Sequence, residues 1–336
     1  MATGINIVAG SKLFKGLDVL KFIMALLVME IHLGATRALP DAVELWCIKP
    51  LLAVPVPVFF LISSYFFFKK VHQEPESWTV LRHFLKRIVL LYSFWVVAWL
   101  PYLIAKKPYF SNGIDGVYHF FIDYFFGAVF GNSWFFGALI VGTTIIYLFS
   151  RYVSDKVWWI LPTALFAYFR FVPILSQEAT MPVMWYSDHI INPYISFPYN
   201  LFWIMLGYYI SKPRAIELIQ KVTTPYRWIF IIIGIASINL GHICSIVTLP
   251  FAVIAIFVAF FNWSPDISAE KSKWIRNSSI LIYVMHGNLE KVFRIYFHFD
   301  HGPLLYLSVL VICISLSAII IYLSHQRHFK WLRNAY

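Results

Sequence analysis

Lys21 and His32 lie eleven positions apart in the first apolar stretch of the chain, which reads LDVLKFIMALLVMEIH. Eleven steps of about 100° make roughly three helical turns, so both side chains face one side of a helix, about 16 Å apart along its axis. A histidine can take a proton from a hydroxyl near neutral pH, and a lysine can neutralise an anion. We therefore predict that His32 is a general base near the middle of the membrane and that Lys21 binds phosphates near the cytoplasmic interface. In the alternative interpretation, His32 only forms hydrogen bonds that stabilise helix packing.

A second polar stripe lies near the end of the chain, in the stretch NSSILIYVMHGNLEKVFRIY. His286, Glu290 and Arg294 recur at helical spacing on one face, and Tyr283 lies one turn before them. Ionisable side chains are costly inside a membrane, so this stripe predicts an internal cavity rather than contact with lipid. We take His286 and Glu290 as further candidate catalytic residues and Tyr283 as a candidate substrate-binding residue. The alternative is a Glu290–Arg294 ion pair that only fixes the packing of this helix.

Basic residues cluster where the chain leads into its third apolar stretch, at Arg82, Lys86 and Arg87. Such a cluster can hold phosphates, and arginine is suited to bidentate contact with them. Together with Lys21, which Asp18 is spaced to pair with one turn earlier, these residues form our predicted phosphate-binding site. The alternative is that they anchor the chain at the cytoplasmic surface or contact anionic lipid.

The composition is that of an integral membrane protein. The 336 residues are 60% hydrophobic and 13% charged, with a mean hydropathy of +0.71, whereas soluble domains carry about 25% charged residues. We expect a single domain, residues 1–336, without a cleavable signal, because the first apolar stretch is charged and continues into the protein. The net charge of +11 is explained by an excess of cytoplasmic Lys and Arg, so we expect no nucleic-acid partner. The three widely spaced cysteines indicate neither a disulfide framework nor a metal motif.

The apolar stretches predict an all-α, polytopic membrane fold, with about ten transmembrane helices around a polar cavity. Lys and Arg in the loops on the N-terminal side outnumber those on the other side by 19 to 7, so we place both termini in the cytoplasm. Val117–Phe130 is apolar but short, and we interpret it as a re-entrant or interfacial helix. The predicted spans are 17–38, 50–68, 84–105, 133–150, 156–175, 193–211, 226–241, 243–263, 279–298 and 303–324.

Several motifs resemble those of the membrane acyltransferase-3 family. The first is a basic residue, ten further residues and a histidine, here Lys21 and His32. The chain departs from the family pattern where Ser64 replaces a usual glycine and Asn132 replaces a usual histidine. These changes argue against a very close backbone approach at the first position and against proton transfer at the second. The other matching residues are Pro57, Phe59, Phe60, Ser63 and Tyr65; Trp134, Phe135, Ala138 and Leu139; Gly207; and Ser279, Ile282, Tyr283 and His286.

The resemblance implies a multi-pass enzyme of the bacterial inner membrane. Such an enzyme transfers an acyl group, most often acetyl from cytosolic acetyl-CoA, to a hydroxyl of a cell-surface glycan or lipid-linked sugar. It implies acyl-CoA as the donor, bound near Lys21, Arg82, Lys86 and Arg87, with no permanently bound cofactor. Within the family, the chain resembles stand-alone O-acetyltransferases that modify surface glycans, including the enterobacterial-common-antigen type.

The resemblance also brings Asn132 and Trp134 into the candidate substrate site beside Tyr283. Trp134 can equally be an anchor at the membrane interface. The region that begins at Asp188 and His189 is expected to line an acceptor site. Buried histidine, glutamate and arginine also suit a transporter or flippase of a glycan intermediate, so that function stays open. The acceptor, the acyl chain length and the oligomeric state are left open by the sequence.

Overall fold

The computed structural model describes residues 14–74, 76–154, 156–238 and 245–336. These residues form helices joined by short turns, with no β-strand among them, which confirms the all-α prediction. The main helices are α1 (Lys15–Leu33), α2 (Pro55–Gln73), α3 (Ser77–Ala98), α4 (Leu100–Lys106), α5 (Gly113–Phe125), α6 (Trp134–Tyr152), α7 (Ile160–Phe171), α8 (Gln177–His189), α9 (Phe197–Ile210), α10 (Pro213–Ser237), α11 (Ser245–Phe261), α12 (Ala269–Tyr296) and α13 (Pro303–Ser324). Shorter helical segments lie at Ala35–Ala38, Asp41–Val43, Glu44–Ile48, Lys49–Leu52, Val172–Ile174, Pro193–Ile195 and Arg327–Ala335.

Helices α1 and α12 pack side by side and run parallel. Asp18 on α1 meets Ser272 on α12, and fourteen residues further along each helix His32 meets His286. Because both pairs are separated by the same 254 positions, the two helices keep one register over this length. Fourteen residues correspond to about 21 Å of helix, so the two contacts lie near opposite ends of α1.

Helix α1 ends one residue after His32. Gly34 has a φ of 65°, and its amide donates to the carbonyl oxygen of Glu30 at 2.9 Å, which is a left-handed helix end that glycine permits. The Glu30 carboxylate accepts from the amides of Ala35 at 3.0 Å and Thr36 at 2.8 Å. These contacts fix the turn after the helix. His32 therefore lies in the last turn of α1, which ends five residues before the first predicted span does.

Helices α2 and α9 come very close together. A Cβ on Gly207 of α9 would collide with the hydroxyl of Ser64 on α2 and would lie 2.8 Å from the amide nitrogen of Tyr65. Ser64 fits there because its hydroxyl turns back onto its own helix and donates to the carbonyl oxygen of Phe60 at 2.7 Å. The expectation that serine at this position argues against a close approach is wrong, because Gly207 supplies the space from the other helix.

The remaining helices pack around α1, α2, α9 and α12. Helix α10 packs against α11, which also contacts α1 and α2, while α6 contacts α3, α5 and α9. Helix α7 packs against α9 and α11, and α13 packs against α12. The C-terminal segment Arg327–Ala335 lies on α3 and α13, where the indole nitrogen of Trp95 donates to the carbonyl oxygen of Ala335 at 2.9 Å.

The predicted spans agree with the helices to different degrees. Helix α6 matches the span predicted at 133–150, and α13 matches the one at 303–324. Helices α10 and α12 begin 13 and 10 residues earlier than the apolar stretches that predicted them. Two stretches are sharply bent: α3 meets α4 at 63°, and residues 160–174 meet α8 at 112°. Residues 239–244, where the seventh span ends and the eighth begins, lie outside the described residues together with Cys244.

By length and composition, three helical stretches of the described chain can cross a membrane, at Asp41–Gln73, Trp134–Tyr152 and Pro303–Ser324. The number rises to five if each bent pair forms one span. Other helices fall short of this criterion because they are charged, as α1 is, or short, as the 14-residue α9 is. The fold is that of a helical protein that can pass the membrane several times; ten spans and cytoplasmic termini stay predictions. Helix α5, with 13 residues, is shorter than the ~30 Å hydrocarbon core.

Candidate active site

A cavity of about 350 Å³ lies at the His32 end of α1. This volume falls in the range of about 300–1,000 Å³ that is typical of small-molecule sites. The cavity is lined by His32, Asn132, Trp134 and Tyr283, four of the candidate residues. They come from α1, from the turn before α6, from the start of α6 and from α12. The fold thus brings together side chains from three distant parts of the sequence.

A tight turn before α6 carries Asn132 to the cavity. Gly131 has a φ of 35° and lies against α12, where a Cβ would be 3.3 Å from Oδ1 of Asn288. The Tyr283 hydroxyl donates to the carbonyl oxygen of Asn132 at 2.9 Å. The Ser133 hydroxyl closes the turn by accepting a backbone amide at 3.1 Å. The backbone of the turn is therefore held in place, and the Asn132 side chain is directed at a histidine of α12.

The hydrogen bonds of His286 define its role. The side chain is fully buried, and its Nδ1 lies 2.9 Å from the carbonyl oxygen of Ile282. Since a carbonyl can only accept, Nδ1 carries the proton in the neutral ring and Nε2 is an acceptor. The amide nitrogen of Asn132 lies 2.6 Å from this Nε2. Both ring nitrogens of His286 are occupied, so the geometry disfavours it as a base that acts on a ligand.

The ring of His32 lies against that of His286 and faces the cavity. The two ring centroids are 5.3 Å apart and the planes are inclined by 44°. His32 is half-buried, and within the described residues its ring nitrogens form no hydrogen bond. Of the two histidines, His32 is the one that can accept a hydrogen bond from a molecule in the cavity.

Glu290 faces groups other than those that line the cavity. Its carboxylate lies 3.3 Å from Nε2 of His301 and 3.5 Å from the guanidinium of Arg294. The pair with Arg294 joins neighbouring turns of α12, at i and i+4, and the arginine is exposed, so it is not the buried packing contact of the alternative interpretation. Glu290 does not line the cavity, so its carboxylate is not placed to act on a molecule bound there.

The opposite end of the α1–α12 pair gathers charged residues. Asp18 is buried, accepts from the Ser272 hydroxyl at 2.8 Å and lies 3.7 Å from the guanidinium of Arg276. Asp18 is spaced to pair with Lys21, but its direct contacts are with Ser272 and Arg276, which the parallel packing of α12 brings alongside. The ammonium of Lys21 lies 5.1 Å from the ring centroid of Phe66, which is a cation–π distance.

The predicted donor-binding residues divide into two groups. Arg87 lies within electrostatic reach of Lys21 and Arg276. Arg82, Lys86 and Arg87 are all exposed on α3, and in the part of the chain that the structure describes none of the three forms an ion pair; the division rests on the electrostatic reach of Arg87 alone. The structure adds Arg276 to this basic group, although in the sequence it contributed only to the orientation of the chain.

The wall of the cavity formed by α7 and α9 contains residues that the motifs did not indicate. Arg170, in the last turn of α7, donates from Nε to the Ser245 hydroxyl at 3.1 Å and contacts the same oxygen through Nη2. Tyr194, Tyr199 and Asn200 come from the turn before α9 and from its first turns. These four residues add a positive charge and aromatic surface to the site.

The region expected to line an acceptor site reaches the cavity through other side chains. Asp188 and His189 lie on α8 and do not line it; the His189 ring stacks on Trp185, with the centroids 4.8 Å apart. An arginine at the end of one apolar stretch and tyrosines at the start of the next are visible in the sequence. The spacing of residues within either stretch does not indicate that the arginine on α7 and the tyrosines at the start of α9 line the same cavity.

Among curated proteins, the chain is 22% identical over 291 residues to an amino-acid racemase of Enterococcus faecalis. The match covers 81% of this chain but 40% of that protein, so the chain spans less than half the length of this relative. At this identity and coverage the name of the relative transfers no activity. No solved structure matches the chain.

A family match is far more extensive. The acyltransferase domain of the acyltransferase-3 family matches residues 14–322. This range contains both contacts between α1 and α12, the cavity and the basic group. It confirms the resemblance drawn from the motifs, although it does not distinguish the enterobacterial-common-antigen type within the family. The chain therefore belongs to the acyltransferase-3 family of membrane acyltransferases.

Proposed function

We propose that the protein transfers an acyl group, acetyl in the first instance, from acyl-CoA to a hydroxyl of a cell-surface glycan or lipid-linked sugar in the bacterial inner membrane. The proposal is carried by the convergence of His32, Asn132 and Tyr283 on one cavity in a chain of an acyltransferase family. Transfer to an alcohol needs a base that removes the hydroxyl proton and a site that restricts water. A histidine in the wall of a small cavity meets both needs.

His32 is the base in this proposal, because its ring nitrogens are open to a ligand while those of His286 are occupied. The acceptor oxygen bonds to the thioester carbonyl carbon as its proton passes to His32. The carbon–sulfur bond then breaks, and His32 returns the proton to the departing sulfur of coenzyme A. Asn132 holds His286 in one tautomer, and the ring of His286 supports that of His32. The thioester supplies the activation, so the reaction uses no resident cofactor.

The donor enters from the basic end of the α1–α12 pair. Lys21 lies about 16 Å of helix from His32, and Arg87 and Arg276 are within electrostatic reach of it. A donor with a charged head and a long uncharged arm can hold its phosphates there while its acyl group reaches the cavity. Arg82 and Lys86 extend the basic surface where the phosphates approach.

The proposal is tested by acetyl transfer with purified protein in lipid nanodiscs. Labelled acetyl from acetyl-CoA should appear on an added sugar, and His32→Gln should stop the transfer, because glutamine can orient an alcohol but cannot take its proton. The matched control is His83→Gln: His83 is exposed on α3 and bonds only its own helix, at the carbonyl oxygen of Thr79. A transporter or flippase would move a glycan without releasing coenzyme A, and that result would replace the proposal.

A further inference from the structure

Arg170 brings a positive charge to the cavity without an acidic partner. It donates to the Ser245 hydroxyl and lies beside the hydroxyl of Tyr199. Among the residues that the structure describes, no carboxylate lies within ion-pair distance of this guanidinium. Arginine has five N–H donors in a planar fork that matches carboxylate and phosphate groups. We propose that Arg170 binds a negatively charged group, a carboxylate or a phosphate, on the acceptor sugar.

The same wall is built to receive a sugar ring. Tyr194 and Tyr199 line it, and aromatic side chains supply a rigid apolar face with a polar end. The Tyr194 hydroxyl is fixed by donating to the carbonyl oxygen of Phe169 at 2.6 Å. The Asn200 amide nitrogen donates to the carbonyl oxygen of Ser196 at 2.6 Å, and its side-chain oxygen has no partner in the described chain. These side chains are therefore held in place before a ligand arrives.

The positive charge of Arg170 is not needed for the donor as we place it. The phosphates of the donor belong at Lys21, about 16 Å of helix away from His32, and the thioester that reaches the cavity is uncharged. Arg170 belongs to α7, which packs against α9 and α11, whereas the base belongs to α1. A fixed cation on a different wall from the base suits a fixed negative charge on the acceptor. This assignment of the anion to the acceptor rests on the proposed function; the anion site itself does not.

A guanidinium can also stabilise the negative charge that develops in the transition state. The two roles differ in their effect on different acceptors. Binding of a charged acceptor concerns only sugars that carry the charge, whereas transition-state stabilisation concerns every acceptor equally.

The first test measures binding without acetyl-CoA, using methyl β-glucuronide and methyl β-glucoside, which differ in one carboxylate. The wild-type protein should bind the glucuronide more tightly, and Arg170→Gln should weaken that binding by roughly 10- to 100-fold, as expected for the loss of a charge-assisted contact. Arg170→Lys should keep most of the affinity. Glucose 1-phosphate, used in the same way, tells a phosphate site from a carboxylate site.

Arg151→Gln is the matched control for these measurements. Arg151 also donates to a serine hydroxyl, that of Ser77 at 3.0 Å, but does not line the cavity. Its replacement should leave the affinity for both sugars unchanged. The proposal is overturned if neither anionic probe binds better than the glucoside, or if Arg170→Gln weakens all probes equally.

Activity measurements separate this inference from the proposed function. Arg170→Gln should raise the KM for an anionic acceptor without raising the KM for acetyl-CoA. A raised KM for acetyl-CoA would assign Arg170 to the donor, and an equal fall in kcat for charged and neutral acceptors would assign it to the transition state; either result overturns the proposal. If the wild-type protein binds the glucuronide through Arg170 but transfers no acetyl group, the proposed function fails and the anion site stands.

Discussion

The two ends of the α1–α12 pair treat polar side chains in opposite ways. At one end the carboxylate of Asp18 is buried against Ser272 and Arg276, at 2.8 and 3.7 Å. At the other end, fourteen residues along each helix, His32 and His286 meet beside a cavity. The first contact satisfies a buried charge within the protein, and the second leaves an imidazole open to a ligand. One helix register therefore both fixes the pair and presents the proposed base.

The largest expected effect comes from removing the open imidazole. His32→Ala should lower acetyl transfer by about 10²- to 10⁴-fold, the usual contribution of a general base. The protein should remain folded, because His32 is half-buried and bonds no other residue of the described chain. Rate, thermal unfolding and acetyl-CoA binding are measured on one preparation. A variant that transfers at the wild-type rate, or that binds acetyl-CoA no longer, would contradict the separation of the two ends.

Breaking the contact of Asp18 with Ser272 and Arg276, at the other end of the α1–α12 pair, should lower stability instead. Asp18→Ala leaves the Arg276 guanidinium and the Ser272 hydroxyl without their acceptor, at a cost of about 1–3 kcal/mol. The midpoint of thermal unfolding in detergent should fall, and the rate per folded molecule should change little. Asp18→Asn keeps an acceptor for Ser272 and should recover part of the stability. If Asp18→Ala melts like the wild type but binds acetyl-CoA poorly, Asp18 belongs to the donor site and not to the framework.

Most of the residues around the cavity at the His32 end of the α1–α12 pair could be predicted from the sequence. Helical periodicity determines which residues share a face, and motif order then brought His32, Asn132, Trp134 and Tyr283 into one candidate site. Arg170 was missed, because the inward face of α7 depends on its packing with α9 and α11. The spacing of residues within α7 carries no information about that packing.

The contacts of Asp18 show why spacing within one helix did not identify its partners. Asp18 and Lys21 are one turn apart, yet the hydrogen-bond donor to the Asp18 carboxylate, Ser272, lies 254 residues away in sequence. Helix boundaries failed for a related reason. Helix α12 starts before its apolar stretch because the Ser268 hydroxyl accepts from the amide of Lys271 at 3.1 Å, and such a cap acts independently of hydropathy.

Replacing Tyr283 should have a smaller effect on the site at the His32 end of the α1–α12 pair. Tyr283→Phe keeps the ring but removes the hydroxyl that donates to the carbonyl oxygen of Asn132 at 2.9 Å. One neutral hydrogen bond contributes about 0.5–1.5 kcal/mol, so transfer should fall by roughly 2- to 10-fold. The matched control is Tyr306→Phe, which removes a hydroxyl that donates to the carbonyl oxygen of Leu26 at 3.2 Å outside the cavity. Equal losses in the two variants would mean that the effect is on helix packing and not on the site.

The smallest expected effect is a difference in the KM for acetyl-CoA between two arginine variants near Lys21. Arg82 and Arg87 are both exposed on α3, but of the two Arg87 is within electrostatic reach of Lys21 and Arg276. If the donor phosphates bind among Lys21, Arg87 and Arg276, Arg87→Ala should raise the KM for acetyl-CoA several-fold. Arg82→Ala should raise it by less than about twofold, since an exposed charge outside this group contributes about 0–1 kcal/mol.

Salt concentration provides the control for this last comparison. The screening length falls from about 10 Å at 0.1 M to about 3 Å at 1 M, so the difference between Arg87→Ala and Arg82→Ala should shrink at high salt. An unchanged KM in a folded double variant would assign both arginines to membrane anchoring. A larger effect from Arg82 than from Arg87 would place the donor phosphates on the exposed face of α3. The α1–α12 pair would then hold the base at one end without holding the donor at the other.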